Sequence, residues 1–193
     1  MKLIVGLGNP GRKYESTRHN VGWEVLAEFN RRFGRGAPRS KFQGELAEAS
    51  VGEQQVWLLC PHTYMNRSGS SVQAARSFYK LSNEDLIVVC DDMNLPTGRL
   101  RFRAKGSSGG QKGLEDIIRQ LGTDEFPRLR VGIDSPPPQW DAVGYVLGRF
   151  DTQQRPIIDD AVKLAADALA DWVGNGVQVC MNRYNGNWLT QGD

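Results

Sequence analysis

The sequence has little cysteine, little net charge and no long hydrophobic run. Its three cysteines, Cys60, Cys90 and Cys180, are widely spaced and form no CxxC pair. This excludes a disulfide framework and a cysteine-type zinc site, and it suits a reducing compartment. No apolar run approaches the roughly 18 residues that a membrane-spanning helix needs. The N-terminal apolar stretch is also too short for a signal peptide. We therefore expect a cytoplasmic protein that does not enter a membrane.

The net charge is only +2, from 24 Lys and Arg against 22 Asp and Glu. Any nucleic-acid binding must therefore rest on local clusters of basic residues rather than on bulk charge. Of the 193 residues, 39% are hydrophobic and 24% are charged. This composition is typical of one globular domain over residues 1–193 and does not match a disordered chain.

Short apolar segments alternate with amphipathic ones along the chain. The patterns predict strands at 2–7, 85–92, 99–103 and 128–134, a hairpin over 42–60, and helices at 20–33, 68–81, 113–121 and 156–173. A basic loop is expected between the first helix and the hairpin. The alternation indicates an α/β fold: a single-domain, three-layer globule with a twisted mixed, mostly parallel central sheet flanked by helices.

Gly6, Gly8 and Gly11 match the G-x-G-x-x-G pattern directly after the first strand. In dinucleotide-binding proteins a helix opens at the third glycine and binds a pyrophosphate. Here the segment after Gly11 lacks apolar periodicity, Pro10 removes a backbone donor, and the first predicted helix begins near Asn20. A tight turn after the first strand is the competing interpretation of these glycines.

Polar side chains follow several predicted strands. Asn9 follows the first strand, His19 precedes the first helix, Asn66 follows the hairpin, and Asp91 ends the strand at 85–92. Because parallel strands gather their carboxyl ends at one edge of a sheet, we expect these residues to converge. A His–Asp pair can hold the tautomer that takes a proton from water, and amides can stabilise an oxyanion. Without GxSxG, HExxH or metal-ligand spacing, the pattern favours hydrolysis by activated water with no covalent intermediate and no metal.

Each of these residues also has a structural interpretation. A histidine at a helix start is typical of a cap or a surface residue, and Asp91 can begin a turn. Asn66 can cap the helix that follows it. The other histidine, His62, is interpreted as structural.

Basic residues are concentrated between Arg99 and Lys112. In a strand, Arg99, Arg101 and Arg103 share one face, and the GSSGG sequence after them lets backbone N–H groups approach a phosphate. Further basic residues are Arg31, Arg32, Arg35, Arg39, Lys41, Arg128 and Arg130. The clusters predict a binding surface for the backbone phosphates or duplex end of a nucleic acid, with a solvated basic face as the alternative.

Six segments carry a signature that spans nearly the whole chain. In order they are VGLGNPGRKYESTRHNVG (5–22), PHTYMNRSG (61–69), CDDMNLPTGRLRFR (90–103), GSSGGQKGLEDII (106–118), FPRLRVGI (126–133) and NRYNG (182–186). With these segments the chain resembles the bacterial-type peptidyl-tRNA hydrolase family. The resemblance implies hydrolysis of the ester between the peptide and the 3′-terminal ribose of peptidyl-tRNA, by a monomer without metal or cofactor.

The resemblance also implies roles for individual residues. His19 is similar to the family's general base, and Asp91 to the residue that orients it. Positions implied to bind the substrate, including the acceptor end and 5′-phosphate of the tRNA, are Asn9, Tyr14, Tyr64, Asn66, Arg103 and Arg130.

One departure from the family pattern matters most, although Cys60 and His62 also differ from the commoner residues. Many members have His-Asn where this chain has Gln111-Lys112, so the role of the usual asparagine cannot be assigned here. Lys112 is a candidate tRNA contact through its charge, although lysine cannot accept a hydrogen bond. The departure leaves open an RNA-binding protein that keeps the fold and the basic surface without the activity.

Overall fold

The computed structural model describes residues 1–186, so residues 187–193 of the predicted domain lie outside the described part. One seven-stranded sheet has the order β2-β3-β4-β1-β5-β7-β6. Its strands are β1 (Lys2–Gly6), β2 (Arg39–Lys41), β3 (Gly44–Val51), β4 (Gln54–Pro61), β5 (Leu86–Asp92), β6 (Leu100–Arg103) and β7 (Arg128–Gly132). The four central strands, β4, β1, β5 and β7, pair in parallel, whereas β2–β3, β3–β4 and β6–β7 are antiparallel. The predicted mixed sheet is confirmed.

Helices cover both faces of this sheet. They are α1 (Val21–Phe33), α2 (Ser68–Phe78), α3 (Lys112–Leu121), α4 (Ala142–Val146) and α5 (Gln154–Tyr184). Apolar residues of α1 and α5 pack on one face, and those of α2 and α3 pack on the other. The predicted three-layer α/β architecture is therefore confirmed.

The first strand shows why its sequence is apolar throughout. Leu3 and Val5 face the α2–α3 layer, whereas Ile4 faces the α1–α5 layer. All three side chains are fully buried. A central strand with both faces covered has no polar side, and this produces a continuous apolar run rather than an alternating one.

Two short elements were not predicted. β2 lies within the segment expected to be a loop, because Arg39–Lys41 pairs antiparallel with the start of β3. The two residues between these strands, Phe42 and Gln43, have positive φ angles and form the turn. α4 was also missed, since its five residues are too few to display a helical period.

The last helix is longer than predicted. The pattern indicated a helix from Pro156 to Val173, with Gly174 as its stop. Instead α5 begins at Gln154 and runs to Tyr184, with a break at Gly176, where φ is 77°. After the break the chain folds back, so that Tyr184 donates a hydrogen bond to the Asp171 carboxylate. The turn thus lies two residues beyond the predicted stop.

The three cysteines are free thiols. Burial raises the pKa of Cys60, Cys90 and Cys180 to about 12. No helix within residues 1–186 is long and apolar enough to cross a membrane.

Close contact between α1 and the sheet requires glycine at position 22. A Cβ atom on Gly22 would lie 2.6 Å from both Leu7 N and Val89 O, which are backbone atoms. Because neither can move independently, Gly22→Ala is expected to lower the free energy of unfolding by about 3 kcal/mol. Urea denaturation measures this loss.

Gly174→Ala is the matched control for this prediction. Nothing lies within 4 Å of a Cβ built on Gly174, so alanine there should be neutral or stabilising by up to about 1 kcal/mol. Equal unfolding midpoints for the two variants would contradict the packing argument.

Candidate active site

A cavity of about 490 Å³ opens at the carboxyl edge of the central strands. It collects residues that lie far apart in the sequence, because β4, β1 and β5 are parallel neighbours. Seven of the predicted site residues line it: Asn9, His19, Tyr64, Asn66, Asp91, Lys112 and Arg130. Tyr14 and Arg103 are not among its lining residues.

His19 and Asp91 form a buried hydrogen-bonded pair in this cavity. His19 Nδ1 lies 2.8 Å from Asp91 Oδ2, and the two residues are only 9% and 3% exposed. His19 belongs to a 3₁₀ turn that leads into α1, and Asp91 lies near the end of β5. A carboxylate only accepts hydrogen bonds, so Nδ1 carries the proton and Nε2 is the nitrogen that can act as a base.

The orientation of Asn9 follows from its hydrogen bonds. Its Oδ1 accepts from the backbone N–H of Met65 at 2.8 Å, and this leaves its Nδ2 as a donor for a ligand. Asn20 binds both backbone groups of Asn9, at 2.9 and 3.0 Å. The sequence placed Asn20 only at the start of the helix and did not predict these two hydrogen bonds to Asn9.

Tyr64 lies at the rim of the cavity next to Asn66, and Tyr14 packs against its ring. Tyr64 is 54% exposed and has a φ of 57°. Its ring centroid lies 6.4 Å from that of Tyr14, in an edge-to-face arrangement. Tyr14 therefore contacts Tyr64 but does not itself line the cavity. Asn66 follows in the 3₁₀ turn before α2, and it is exposed.

Gln111 also lines the cavity, although the sequence did not identify it as a site residue. It is only 7% exposed and is the N-cap of α3, where its Oε1 accepts from Leu114 N at 2.8 Å. Its Nε2 donates to Asp91 Oδ1 at 3.1 Å. Helix N-caps are usually Ser, Thr, Asp or Asn, so a glutamine gave no sequence signal for this position.

Four arginines share one face of the β6–β7 pair. Arg101 lies opposite Arg130, and Arg103 opposite Arg128. Directly opposed residues project to the same side of a sheet. Arg103 is exposed, whereas Arg128 is fully buried, which corrects the expectation of a basic surface there.

Arg128 holds the glycine-rich loop rather than facing solvent. Its guanidinium donates to the carbonyls of Gly106, Ser107, Asp124 and Phe126. Burial, and secondarily the charge of Arg130, lowers its pKa to about 10.

Arg130 lines the cavity and also holds this loop. Its Nη1 donates to Asp92 Oδ2 at 3.1 Å, and its Nη2 donates to the carbonyls of Ser107 and Ser108 at 2.9 and 3.1 Å. The loop ends at Gln111, so Arg130 supports the segment that reaches Asp91.

Other predicted basic residues have different surroundings. Lys112 is exposed and pairs with Glu115 at 2.8 Å. Arg99 precedes β6 and donates to the carbonyl of Asn185, so it does not continue the face of that strand. Arg31 and Arg32 belong to α1, where both pair with Glu28, and this reduces the positive charge predicted for that region.

One wall of the cavity is apolar. Met93 follows β5, and Val143, Val146 and Leu147 come from α4 and the residue after it. Val143 is 66% exposed. This wall offers contact to uncharged groups next to the His19–Asp91 pair.

The glycine motif does not have the geometry of a dinucleotide site. Gly11, with a φ of 108°, is followed by a 3₁₀ turn, and α1 begins only at Val21. The helix that would bind a pyrophosphate is therefore not next to the third glycine. Within residues 1–186, no group of three or more His, Cys, Asp or Glu is placed to hold a metal ion.

The fold and this cavity define an α/β protein with a buried imidazole–carboxylate pair and asparagine amides at the carboxyl edge of its central strands. The family profile described as peptidyl-tRNA hydrolase matches residues 3–191. The chain is 53% identical over 185 residues to the peptidyl-tRNA hydrolase of Rhodopirellula baltica, covering 96% of this chain and 97% of that one. It is 47% identical over 190 residues to that of Chlorobaculum parvum, covering 96% and 98%.

The crystal structure of peptidyl-tRNA hydrolase from Acinetobacter baumannii is similar as well. Its TM-score is 0.90 at 35% identity, covering 96% of this chain and 95% of that chain. This chain therefore belongs to the peptidyl-tRNA hydrolase family, as its sequence motifs predicted.

Proposed function

We propose that His19 and Asp91 activate the water molecule with which this chain hydrolyses peptidyl-tRNA. Membership of the family assigns the reaction, and the proposal concerns the residues that perform it. The observation that carries it is the 2.8 Å hydrogen bond between His19 Nδ1 and Asp91 Oδ2, inside a cavity that also contains Asn9 and Asn66.

The first step is attack of water on the ester carbonyl. His19 Nε2 takes a proton from the water as its oxygen bonds to the carbonyl carbon. The resulting imidazolium is stabilised by Asp91, which keeps its negative charge. No side-chain nucleophile is needed, so the peptide is never bonded to the protein.

The asparagine amides stabilise the carbonyl oxygen of the ester. As the tetrahedral intermediate forms, negative charge develops on this oxygen, and donors already oriented towards it lower the barrier. The Nδ2 group of Asn9 is suited to this because Met65 fixes the orientation of its amide. Asn66 supplies a second amide at the same edge of the sheet.

The second step releases the ribose oxygen of the tRNA. The carbon–oxygen bond of the ester breaks, and the imidazolium returns its proton to the departing oxygen. The products are a tRNA with its terminal hydroxyl restored and a peptide carboxylic acid, which loses its remaining water-derived proton to solvent and becomes a carboxylate. The apolar wall formed by Met93 and α4 is suited to side chains of the peptide.

The direct test is release of N-acyl-amino acid from N-acyl-aminoacyl-tRNA. We expect multiple turnovers by the wild-type chain. Tight tRNA binding without ester cleavage would instead support an RNA-binding protein that lacks the activity.

Arg103 is the basic residue best placed to contact the tRNA phosphates. It is exposed at the end of β6, whereas Arg130 is engaged with Asp92 and the loop carbonyls. Arg103→Ala is expected to raise KM about tenfold and to reduce the slope of log KM against log salt by about one, as for loss of one phosphate contact. Steady-state kinetics over a salt series measures both quantities.

Arg31→Ala is the matched control, because Arg31 is also exposed but lies on α1. It should leave the salt slope unchanged. An equal rise in KM for a minimal substrate that lacks the 5′-phosphate would contradict the assignment of Arg103. Arg130→Ala is less informative, since it also releases the loop that carries Gln111.

We also propose that the chain works in the cytoplasm as a monomer, with residues 1–193 forming one domain. The reaction as written uses side chains and water, so it requires no metal or cofactor. Sedimentation of the active protein tests the monomer, and dissociation-resistant dimers would contradict it.

A further inference from the structure

We infer that Gln111 is a positioning residue that holds the Asp91 carboxylate, and through it the ring of His19, in the orientation that the base requires. The inference rests on the proposed function, because a base at His19 Nε2 requires the proton to be on Nδ1. Gln111 does not contact the reacting atoms. It acts on the oxygen of Asp91 that His19 leaves free.

The orientation of the Gln111 amide is determined by α3. Its Oε1 accepts the N–H of Leu114 at 2.8 Å, and a backbone N–H cannot exchange roles with an acceptor. The opposite end of the amide, Nε2, must therefore face Asp91 as a donor. The Sδ atom of Met65, 3.1 Å away, is a second acceptor for this NH₂ group.

This fixed donor divides the Asp91 carboxylate between two partners. Oδ1 accepts from Gln111 at 3.1 Å, and Oδ2 accepts from His19 at 2.8 Å. With one oxygen held by a residue on another element, the carboxylate resists rotation about its χ2 bond. The neighbouring Asp92 is held separately by Arg130, so it does not compete for either partner.

A second substitution at Gln111 should restore the His19 tautomer that Asp91→Asn loses. In Asp91→Asn, the new amide must present its oxygen to the Gln111 donor, so its NH₂ group faces His19 Nδ1. This places the ring proton on Nε2 and blocks the base. Adding Gln111→Glu replaces the donor by an acceptor while keeping an oxygen for Leu114 N–H. The amide at position 91 then turns over, and the productive Nδ1–H tautomer returns.

Two measurements test the double variant. ¹⁵N NMR of the imidazoles should show Nδ1–H for His19 in the wild type, Nε2–H in Asp91→Asn, and Nδ1–H again in Asp91→Asn/Gln111→Glu. The kcat of the double variant should exceed that of Asp91→Asn about tenfold, since the correct tautomer is restored. If Gln111 had only a structural role, adding Gln111→Glu to Asp91→Asn would lower kcat further.

Removal of the donor alone gives a further test. Methionine in Gln111→Met has a side chain of similar length that cannot donate a hydrogen bond. This variant should lower kcat about 10- to 100-fold with little change in KM, because the base is less well oriented.

Gln111→Met also removes the N-cap of α3, so Gly122→Ala provides the control for a weakened helix end. Gly122 has a φ of 69° at the other end of α3, with nothing within 4 Å of a Cβ, so alanine there strains the helix end without touching the site. This control should keep the wild-type kcat.

An Nε2–H tautomer in the double variant, or activity no higher than that of Asp91→Asn, would overturn the inference. So would a wild-type kcat for Gln111→Met. A wild-type chain that fails to cleave the ester would refute the proposed function instead, and the NMR result would still decide the role of Gln111.

Discussion

Replacing His19 by alanine is expected to lower kcat for peptidyl-tRNA hydrolysis about 10³-fold, which is the scale of a general base. This corresponds to about 4 kcal/mol of transition-state stabilisation. The effect is large because, among the described residues that line the cavity, His19 alone combines a ring nitrogen that can act as a base with a buried carboxylate partner. KM should change little, since His19 acts on water rather than holding the tRNA.

The other histidine of the chain is the matched control. His62 is exposed, and its ring packs beside Trp23 at a centroid distance of 5.2 Å. It is not among the residues lining the His19 cavity, so His62→Ala should retain full activity. Normal turnover by His19→Ala would eliminate the imidazole mechanism, whereas equal losses in both variants would indicate a general sensitivity of the fold.

The second large effect is expected for Asp91→Asn. The equivalent carboxylate-to-amide change in another His–Asp pair costs about 10⁴-fold because the imidazole adopts the wrong tautomer. Here the Gln111 donor enforces the unproductive orientation of the new amide, so we expect a loss of about 10³-fold or more in kcat. The shape of the site is preserved, so the affinity for uncleaved substrate should remain near that of the wild type.

Asp116→Asn is the control for this change, since it makes the same substitution at another buried carboxylate. Asp116 is 5% exposed and accepts from Gly69 N in the contact between α2 and α3. It does not line the cavity. Pre-steady-state kinetics of both variants separates the chemical step from binding, and a weakened affinity with unchanged chemistry in Asp91→Asn would contradict the orienting role.

Local pattern was sufficient for most of the fold. The buried strands β1 and β5, and the helix α1, follow from apolar runs and from helical spacing of residues such as Val25 and Phe29. The pattern failed where an element was too short, as in β2 and α4, and at the end of the last helix, where the predicted stop was Gly174. The break lies instead at Gly176, and after it Tyr184 donates a hydrogen bond to Asp171.

The sequence by itself determined the order of the longer strands and helices and the family, and it predicted that His19 and Asp91 form a pair, because these depend on local periodicity and on recognisable motifs. Only the tertiary structure decided that Gln111 binds Asp91, that Arg128 is buried and that Arg103 is exposed. The physical reason is that hydrogen bonding and burial of a side chain depend on which distant elements pack around it. A single amide or guanidinium in a loop or strand carries no periodic signal that reveals those neighbours.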